Sequence, residues 1–302
     1  FCAPKSVSLL RALDTGGVAS KAVAEAHNTA LGEALEYLHT HAGYTRVHNP
    51  VSGRKDLVRL PGLVAAAYQH ETSRAGDPHL HTHVLVPNKQ ARTDGVLVAI
   101  DSDALWHEAK AAGIIYQTVL RQELNASLGV EWDRVDPHSG MAEIAGVDRA
   151  VLTAASQRST QLSAWASKNL VVDSVGVSAA QLARAQKATR PRKPEHRPWA
   201  ELRAEWAGRF GGELVIDEAA QQRAREQRLA AAAGAVMEWV NAAVAGIDKA
   251  AFTRADLIEA LGAAMPVTIA DTDRGPRWVA ETLADAVGMR ITAERAPHER
   301  EG

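Results

Sequence analysis

Residues 77–88 read D-P-H-L-H-T-H-V-L-V-P-N. Histidines stand at 79, 81 and 83, and the apolar run Val84, Leu85, Val86 follows. A period of two is the period of a β-strand, so the three imidazoles share one face. Upstream, G-L-V-A-A-A-Y-Q-H-E-T-S (62–73) reads as a second strand. The R-A-G-D-P between them (74–78) is a turn signal, so the two arms form a hairpin. His70, on the first arm, then comes opposite His81 or His83, according to register. Neutral imidazole is the commonest biological metal ligand. Three of them with one coordination position left open is the arrangement of a catalytic site rather than a structural one. Alternation alone favours His79, His81 and His83; the hairpin adds His70.

The rest of the chain places helices around this hairpin. P-K-S-V-S-L-L-R-A-L (4–13) reads as a helix entered at Pro4, with Ser6 or Ser8 as a capping residue. Residues 18–41 have helical spacing of Val23, Leu31, Leu35 and Leu38. Residues 43–48 and 96–100 read as strands. A helix capped by Asp101-Ser102-Asp103 runs to Leu128, with a possible break at Gly113 and Gly129 as its C-cap. Val130–Trp132 and Met141–Ile144 suggest a second hairpin around D-P-H-S-G (136–140). From Asp148 the pattern is helical, including one long alanine-rich helix over 217–245 and another capped by Thr253. K-A-T-R-P-R-K-P-E-H-R (187–197) is a basic, proline-broken connector, either solvated or set against a phosphate backbone. The fold class is α+β: an antiparallel sheet carrying the histidine hairpin, flanked by helices, with a helical C-terminal region.

Composition narrows the function. Apolar residues make up 46% of the 302, enough for a sizeable core, and the net charge of −2 confines any nucleic-acid surface to a local patch. No apolar run reaches membrane-spanning length, and no signal-peptide pattern opens the chain. A single cysteine, Cys2, excludes a disulfide framework and points to a reducing, cytoplasmic setting. No G-x-x-x-x-G-K-[ST] is present, so no nucleotide-binding loop is read. An opening at Phe1 without methionine reads as a partial sequence.

Two runs carry a family resemblance. F-C-A-P-K-S-V-S (1–8) resembles the F-S-A-P-K-S-V-S segment of conjugative relaxases of the TraI/TrwC (MobF) type. H-E-T-S-R-A-G-D-P-H-L-H-T-H (70–83) resembles that family's H-D-T-S-R…P-x-L-H-T-H metal motif, with the same spacing. S-Q-R-S (156–159) and K-A-T-R (187–190) extend the likeness to about residue 210. The resemblance implies a relaxase (HUH endonuclease) core over residues 1–215 and a helical connector over 216–302 leading toward a helicase. It implies a divalent metal (Mg, Mn or Zn) on His70, His81 and His83, and leaves His79 aside. It implies nicking of single-stranded DNA at a transfer origin through a phosphotyrosine intermediate, alongside relaxosome accessory proteins and a coupling protein.

In the family the nucleophilic tyrosine and an assisting aspartate precede the F-x-A-P-K-S segment, so both are expected before Phe1. Tyr37, Tyr44, Tyr68 and Tyr116 do not occupy the nucleophile's place, and Tyr37 and Tyr116 have core-like spacing. Lys5 and Arg74 are candidate DNA contacts. Tyr68, Trp106 and Trp132 are candidate stacking platforms, with core placement as the alternative. Asp77 either orients a ligand or makes an Asx turn, and Glu71 faces away from His70. Two rivals remain: a hydrolase of phosphodiesters using metal-bound water with His79, Asp77 or Glu71 as base, and a DNA-binding module with a closed four-histidine structural site. The missing nucleophile carries its own prediction. Incubated with an origin oligonucleotide and manganese, the chain forms no covalent adduct; a DNA-shifted protein band on a denaturing gel would refute this.

Overall fold

The computed structural model describes residues 1–170, 178–191, 197–232, 236–249, 251–266 and 275–295. The chain opens with helices α1 (Lys5–Leu13) and α2 (Val18–Ala42), followed by six strands: β1 (Tyr44–His48), β2 (Lys55–Arg59), β3 (Ala66–Thr72), β4 (Pro78–Leu85), β5 (Lys89–Ala91) and β6 (Leu97–Ala99). The long helix α3 (Ser102–Leu128) comes next, then α4 (Arg149–Ala154), α5 (Gln157–Asn169), α6 (Ala179–Ala188) and α7 (Trp199–Phe210). The last helices are α8 (Glu218–Ala232), α9 (Val236–Ala245), α10 (Arg254–Ala264) and α11 (Gly275–Arg295). No helix among the described residues is long and apolar enough to cross a membrane.

The α+β reading holds, with a correction to the sheet. The strands form three separate antiparallel ribbons, β1–β2, β3–β4 and β5–β6. The strand expected at 96–100 therefore pairs with β5 rather than joining the histidine hairpin. Strand β2 was not expected, because K-D-L-V-R is exposed along its whole length and shows no alternation of burial. The second hairpin survives only in outline. Trp132 bridges Ile144, and Asp133 N–H donates to Glu143 O at 2.9 Å, but no strand extends there.

Helices α2 and α3 form the centre of the core. Small residues let them approach closely: Val23, Ala30, Ala34 and Tyr37 meet Ile115, Val119, Leu120 and Leu124. Helix α3 is unbroken at Gly113 and ends at Gly129, whose N–H donates to Asn125 O. Asp101 caps its start by accepting from Asp103 N–H, as expected. Helix α10 lies against α3 with Leu257, Ile258 and Leu261 in the same core. Glycine at 262 is required there, since a Cβ would meet Ile114 Cγ2 at 2.7 Å. Thr253 caps α10 through a capping box with Asp256. Two partly buried contacts, His41 with Glu281 and Arg277 with Glu33, tie α2 to α11.

Helix α1 connects this core to the hairpin. Pro4 stands at its N-cap position, but no side chain of α1 caps it. Instead Glu143 accepts from Lys5 N–H (3.2 Å) and Ser6 N–H (2.7 Å), a carboxylate brought from far along the chain to the helix's positive end. Ser6 and Ser8 are buried cross-links, not caps. Ser6 Oγ accepts from Ile144 N–H, and Ser8 Oγ donates to Pro4 O and accepts from Leu80 N–H. The other face of α1 packs Leu9, Ala12 and Leu13 on Trp206 of α7.

Two expectations fall partly outside the described residues: 192–196 of the basic 187–197 run, and 233–235 of the helix expected over 217–245. On either side of the latter stand α8 and α9.

One buried group makes the fold pH-sensitive. His27 on α2 is fully buried, and burial pushes its pKa down to about 4, with the Glu71 charge opposing. The unfolded chain takes up this proton near pH 6.5, whereas the folded chain refuses it until about pH 4. The stability is therefore present above the unfolded value and lost as pH falls between the two, to the extent of about 3 kcal/mol. Thermal unfolding should show a drop in midpoint between about pH 7 and about pH 4 that is smaller in His27→Gln.

Candidate metal centre on the β3–β4 hairpin

The hairpin turn is closed by Ser73 N–H donating to Asp77 O (2.9 Å) and Gly76 N–H donating to Ser73 O (3.0 Å). Gly76 has φ +80°, a conformation that turn chemistry assigns to glycine. This turn fixes the register: Tyr68 opposite His83, Gln69 opposite Thr82, and His70 opposite His81. Nearer the turn the register shifts, between His70 and Thr72. Cross-strand partners share a face, so Tyr68, His70, His81 and His83 lie together.

The nearest ring nitrogens of His70, His81 and His83 lie within 4.8 Å of one another. The His70 ring sits edge-on to both others, at centroid distances of 5.2 Å to His81 and 5.1 Å to His83. His70 and His83 are exposed and His81 half-buried, so the cluster opens to solvent. Strand period favoured His79 over His70; the geometry does the reverse. His79 stacks on His81 at 4.6 Å and stays outside the triad. His81 Nδ1 lies 2.9 Å from His79 O. A carbonyl only accepts, so Nδ1 carries the proton and Nε2 keeps its lone pair. Burial depresses the pKa of both His79, to about 3, and His81. His81 thus offers an uncharged imidazole to a cation, and the triad's donor set and open face suit a divalent metal that keeps exchangeable positions.

The two carboxylates near the hairpin are engaged elsewhere. Glu71 faces away from His70, as expected, and forms a fork with Arg11 on α1 (Nη2 to Oε1, 2.9 Å; Nε to Oε2, 3.1 Å). Arg11 also lies over the Trp199 ring at 5.2 Å. Asp77 is only 1% exposed and is neither an Asx turn nor a ligand-orienting group. It accepts from Arg209 Nη2 (3.1 Å) and Gln157 N–H (2.9 Å), and Trp206 Nε1 donates to Gly76 O nearby. The S-Q-R-S segment therefore holds the hairpin tip. It also reaches K-A-T-R, because Arg158 Nη1 donates to Thr189 O and Oγ1, each at 2.8 Å. No local sequence pattern pairs Asp77 with Arg209 or α1 with Glu143; these contacts join segments more than a hundred residues apart.

The remaining expectations resolve one by one. Lys5 Nζ donates to Pro78 O at 2.6 Å, and burial lowers its pKa. Arg74 at the turn donates to Pro191 O at 3.3 Å. Tyr68 is 53% and Trp106 81% exposed, so neither is a core residue. Trp132 packs on the core and donates to Arg121 O. Tyr37 and Tyr116 are fully buried, as their spacing suggested.

Replacing Asp77 by alanine strands Arg209 and the Gln157 N–H beneath the turn. Urea denaturation of Asp77→Ala should show a loss of about 2–4 kcal/mol.

The TrwC relaxase family model matches residues 1–211. Multifunctional conjugation protein TraI of Escherichia coli is 33% identical over 278 residues, which cover 85% of this chain. The chain spans only 15% of that relative's length. The TraI of strain K12 is 34% identical over 166 residues, covering 52% of this chain and 9% of TraI. Among solved structures, copper-bound conjugative relaxase TrwC in complex with oriT DNA aligns with TM-score 0.60 at 32% identity, covering 72% of this chain and 70% of that one. TrwC bound to a 27-mer DNA comprising the recognition hairpin and the cleavage site aligns with TM-score 0.60 at 31% identity, covering 72% and 73%. With a family model spanning its hairpin, its opening F-C-A-P-K-S run and both arginine-anchored segments, the chain belongs to the TrwC relaxase family.

Proposed function

We propose that this chain carries the metal-binding and DNA-engaging core of a conjugative relaxase, acting on single-stranded DNA at a transfer origin. The observation that carries this reading is the open His70–His81–His83 triad on two paired strands. These three residues would hold a divalent metal, which would polarise the scissile phosphate and neutralise charge on its oxygens. Three neutral imidazoles favour manganese or zinc over magnesium. Residues 1–215 form the relaxase core in this reading, and 216–302 a connector whose helices pack back on α3. Nicking proceeds through a phosphotyrosine link to the DNA, in the company of accessory and coupling proteins in the cytoplasm.

The chain's own residues supply the positioning. Arg74 at the hairpin tip and Lys5 beneath it retain N–H groups for backbone phosphates beyond their contacts with Pro191 and Pro78. Tyr68 stands opposite His83 with its ring exposed, where an unpaired base can stack. The hydrolase alternative needs a base near the triad. Glu71 and Asp77 are both committed to arginines, and His79 is stacked on His81 outside the triad, so the relaxase reading stands ahead.

Metal content distinguishes the ligands. Elemental analysis after manganese or zinc loading should show bound metal in wild type and His79→Ala. His70→Ala, His81→Ala and His83→Ala should each lose most of it. Loss in His79→Ala with retention in His70→Ala would reverse the assignment. For the nucleic acid, fluorescence anisotropy with a single-stranded origin oligonucleotide should show Tyr68→Ala binding about 5- to 100-fold more weakly. A variant that binds as wild type does would remove Tyr68 from the interface.

A further inference from the structure

Beneath the metal face, β4 turns one hydroxyl inward. Thr82 lies between His81 and His83 in sequence and points to the opposite side, where it is 3% exposed. Its Oγ1 lies 2.7 Å from Nε2 of His27 on α2. The other nitrogen of that ring, Nδ1, lies 2.6 Å from the Tyr116 hydroxyl on α3. The two rings meet edge to face at 84°, and the Phe1 ring lies tilted against Tyr116 with centroids 5.4 Å apart. One planar ring therefore joins the metal strand to both central helices, with each ring nitrogen engaged.

We propose that His27 is a positioning residue for the metal centre: by bridging Thr82 and Tyr116 it anchors β4 to the two central helices, and so, on top of the register set by the β3–β4 ladder, holds His81 and His83 in place against His70. This rests on the metal reading above. The other inward side chains nearby, Pro78 and Leu80, make apolar contacts, which are non-directional and tolerate a sliding strand. A buried hydrogen bond at 2.7 Å does not tolerate it, because a displaced Thr82 would leave a desolvated nitrogen unpaired. Phe1, Ala3 and Ser8 also hydrogen-bond to the backbone of β4; the His27 bridge adds a side-chain hold from the core. A neutral ring suits the task, since it donates through one nitrogen and accepts through the other. A metal site bound through side chains on two strands is sensitive to displacements of about 0.5 Å, so the hold on one strand acts directly on affinity.

The test uses the full chain, metal-free, titrated with Co²⁺ alone and followed by its visible absorption, with thermal unfolding measured in parallel. Thr82→Val keeps shape and removes the strand end of the bridge. It should weaken Co²⁺ binding about tenfold or more and shift the absorption bands. Tyr116→Phe removes the helix end but leaves the His27–Thr82 bond; it should lower the unfolding midpoint as much, while weakening Co²⁺ binding clearly less than Thr82→Val does. His27→Gln, whose amide reaches the Nε2 position, should keep most of the affinity. If Thr82→Val binds Co²⁺ as wild type does, or affinity merely tracks stability across all three variants, the proposal is overturned. If wild type takes no Co²⁺, or His70→Ala takes it equally well, the metal reading itself fails and the inference falls with it. That outcome is separable because it shows in the unmodified bridge.

Discussion

The pairing of His70 with His81 is the constraint on which the site depends. A β-ladder allows no half-measures: a slip of one residue would turn His81 and His83 to the core and bring Leu80 and Thr82 to the solvent face. Leu80 and Thr82 are buried, and each has a fixed partner, so that slip is costly from both sides. The same pairing brings His70 close to both His81 and His83 and leaves out His79, which falls within the register shift. Three imidazoles from two strands enclose a point in space. Three in a row along one strand lie along a line, and His79, though stacked on His81 at 4.6 Å, stays outside the cluster.

The rest of the molecule keeps this small ribbon in place. A two-stranded hairpin is marginal alone, and among the described residues β3–β4 pairs with no further strand, only with isolated bridges such as Cys2–His81. Its support comes from helices and ion pairs. The tip is held by Asp77 with Arg209 and Gln157, the back of β3 by Glu71 with Arg11, and the back of β4 by Ser8, Leu80 and His27. Helix α1 is central to this arrangement because its two faces serve different neighbours. Val7 enters the main core, while Leu9 and Leu13 pack on Trp206, so the helix couples the α2–α3 pair to α7.

What the sequence disclosed follows from how local each signal is. The hairpin was legible because alternation and the R-A-G-D-P turn lie within a few residues of one another. The caps at Asp101, Gly129 and Thr253 were legible for the same reason. Strand β2 was hidden because an exposed ribbon arm needs no apolar period. Ser6 and Ser8 were misread as caps because their partners, Glu143, Ile144 and Leu80, are distant in sequence, and a serine near a helix start looks the same in either role. In the candidate site, spacing identified the cluster but chose His79. The F-C-A-P-K-S and H-E-T-S-R motifs directed the choice to His70, and the register then supplied the physical reason. His27 carried no signal in the sequence: a lone histidine on an alanine-rich helix becomes notable only once Thr82 and Tyr116 close on it.

The separation of charge around the hairpin completes the argument. Carboxylates are plentiful in this chain, yet the two on the hairpin itself, Glu71 and Asp77, are bound to arginines on its far side and tip. The three imidazoles and the Tyr68 ring stand together on the open face. A carboxylate ligand would cancel part of a divalent ion's charge, whereas three neutral ligands leave it whole. The proposed substrate is a phosphodiester, whose anionic oxygens gain most from an undiminished positive centre and would be repelled by a nearby free carboxylate. The arginine clamps therefore do two things at once: they hold the hairpin rigid, and they keep negative charge away from the face where DNA is expected to lie.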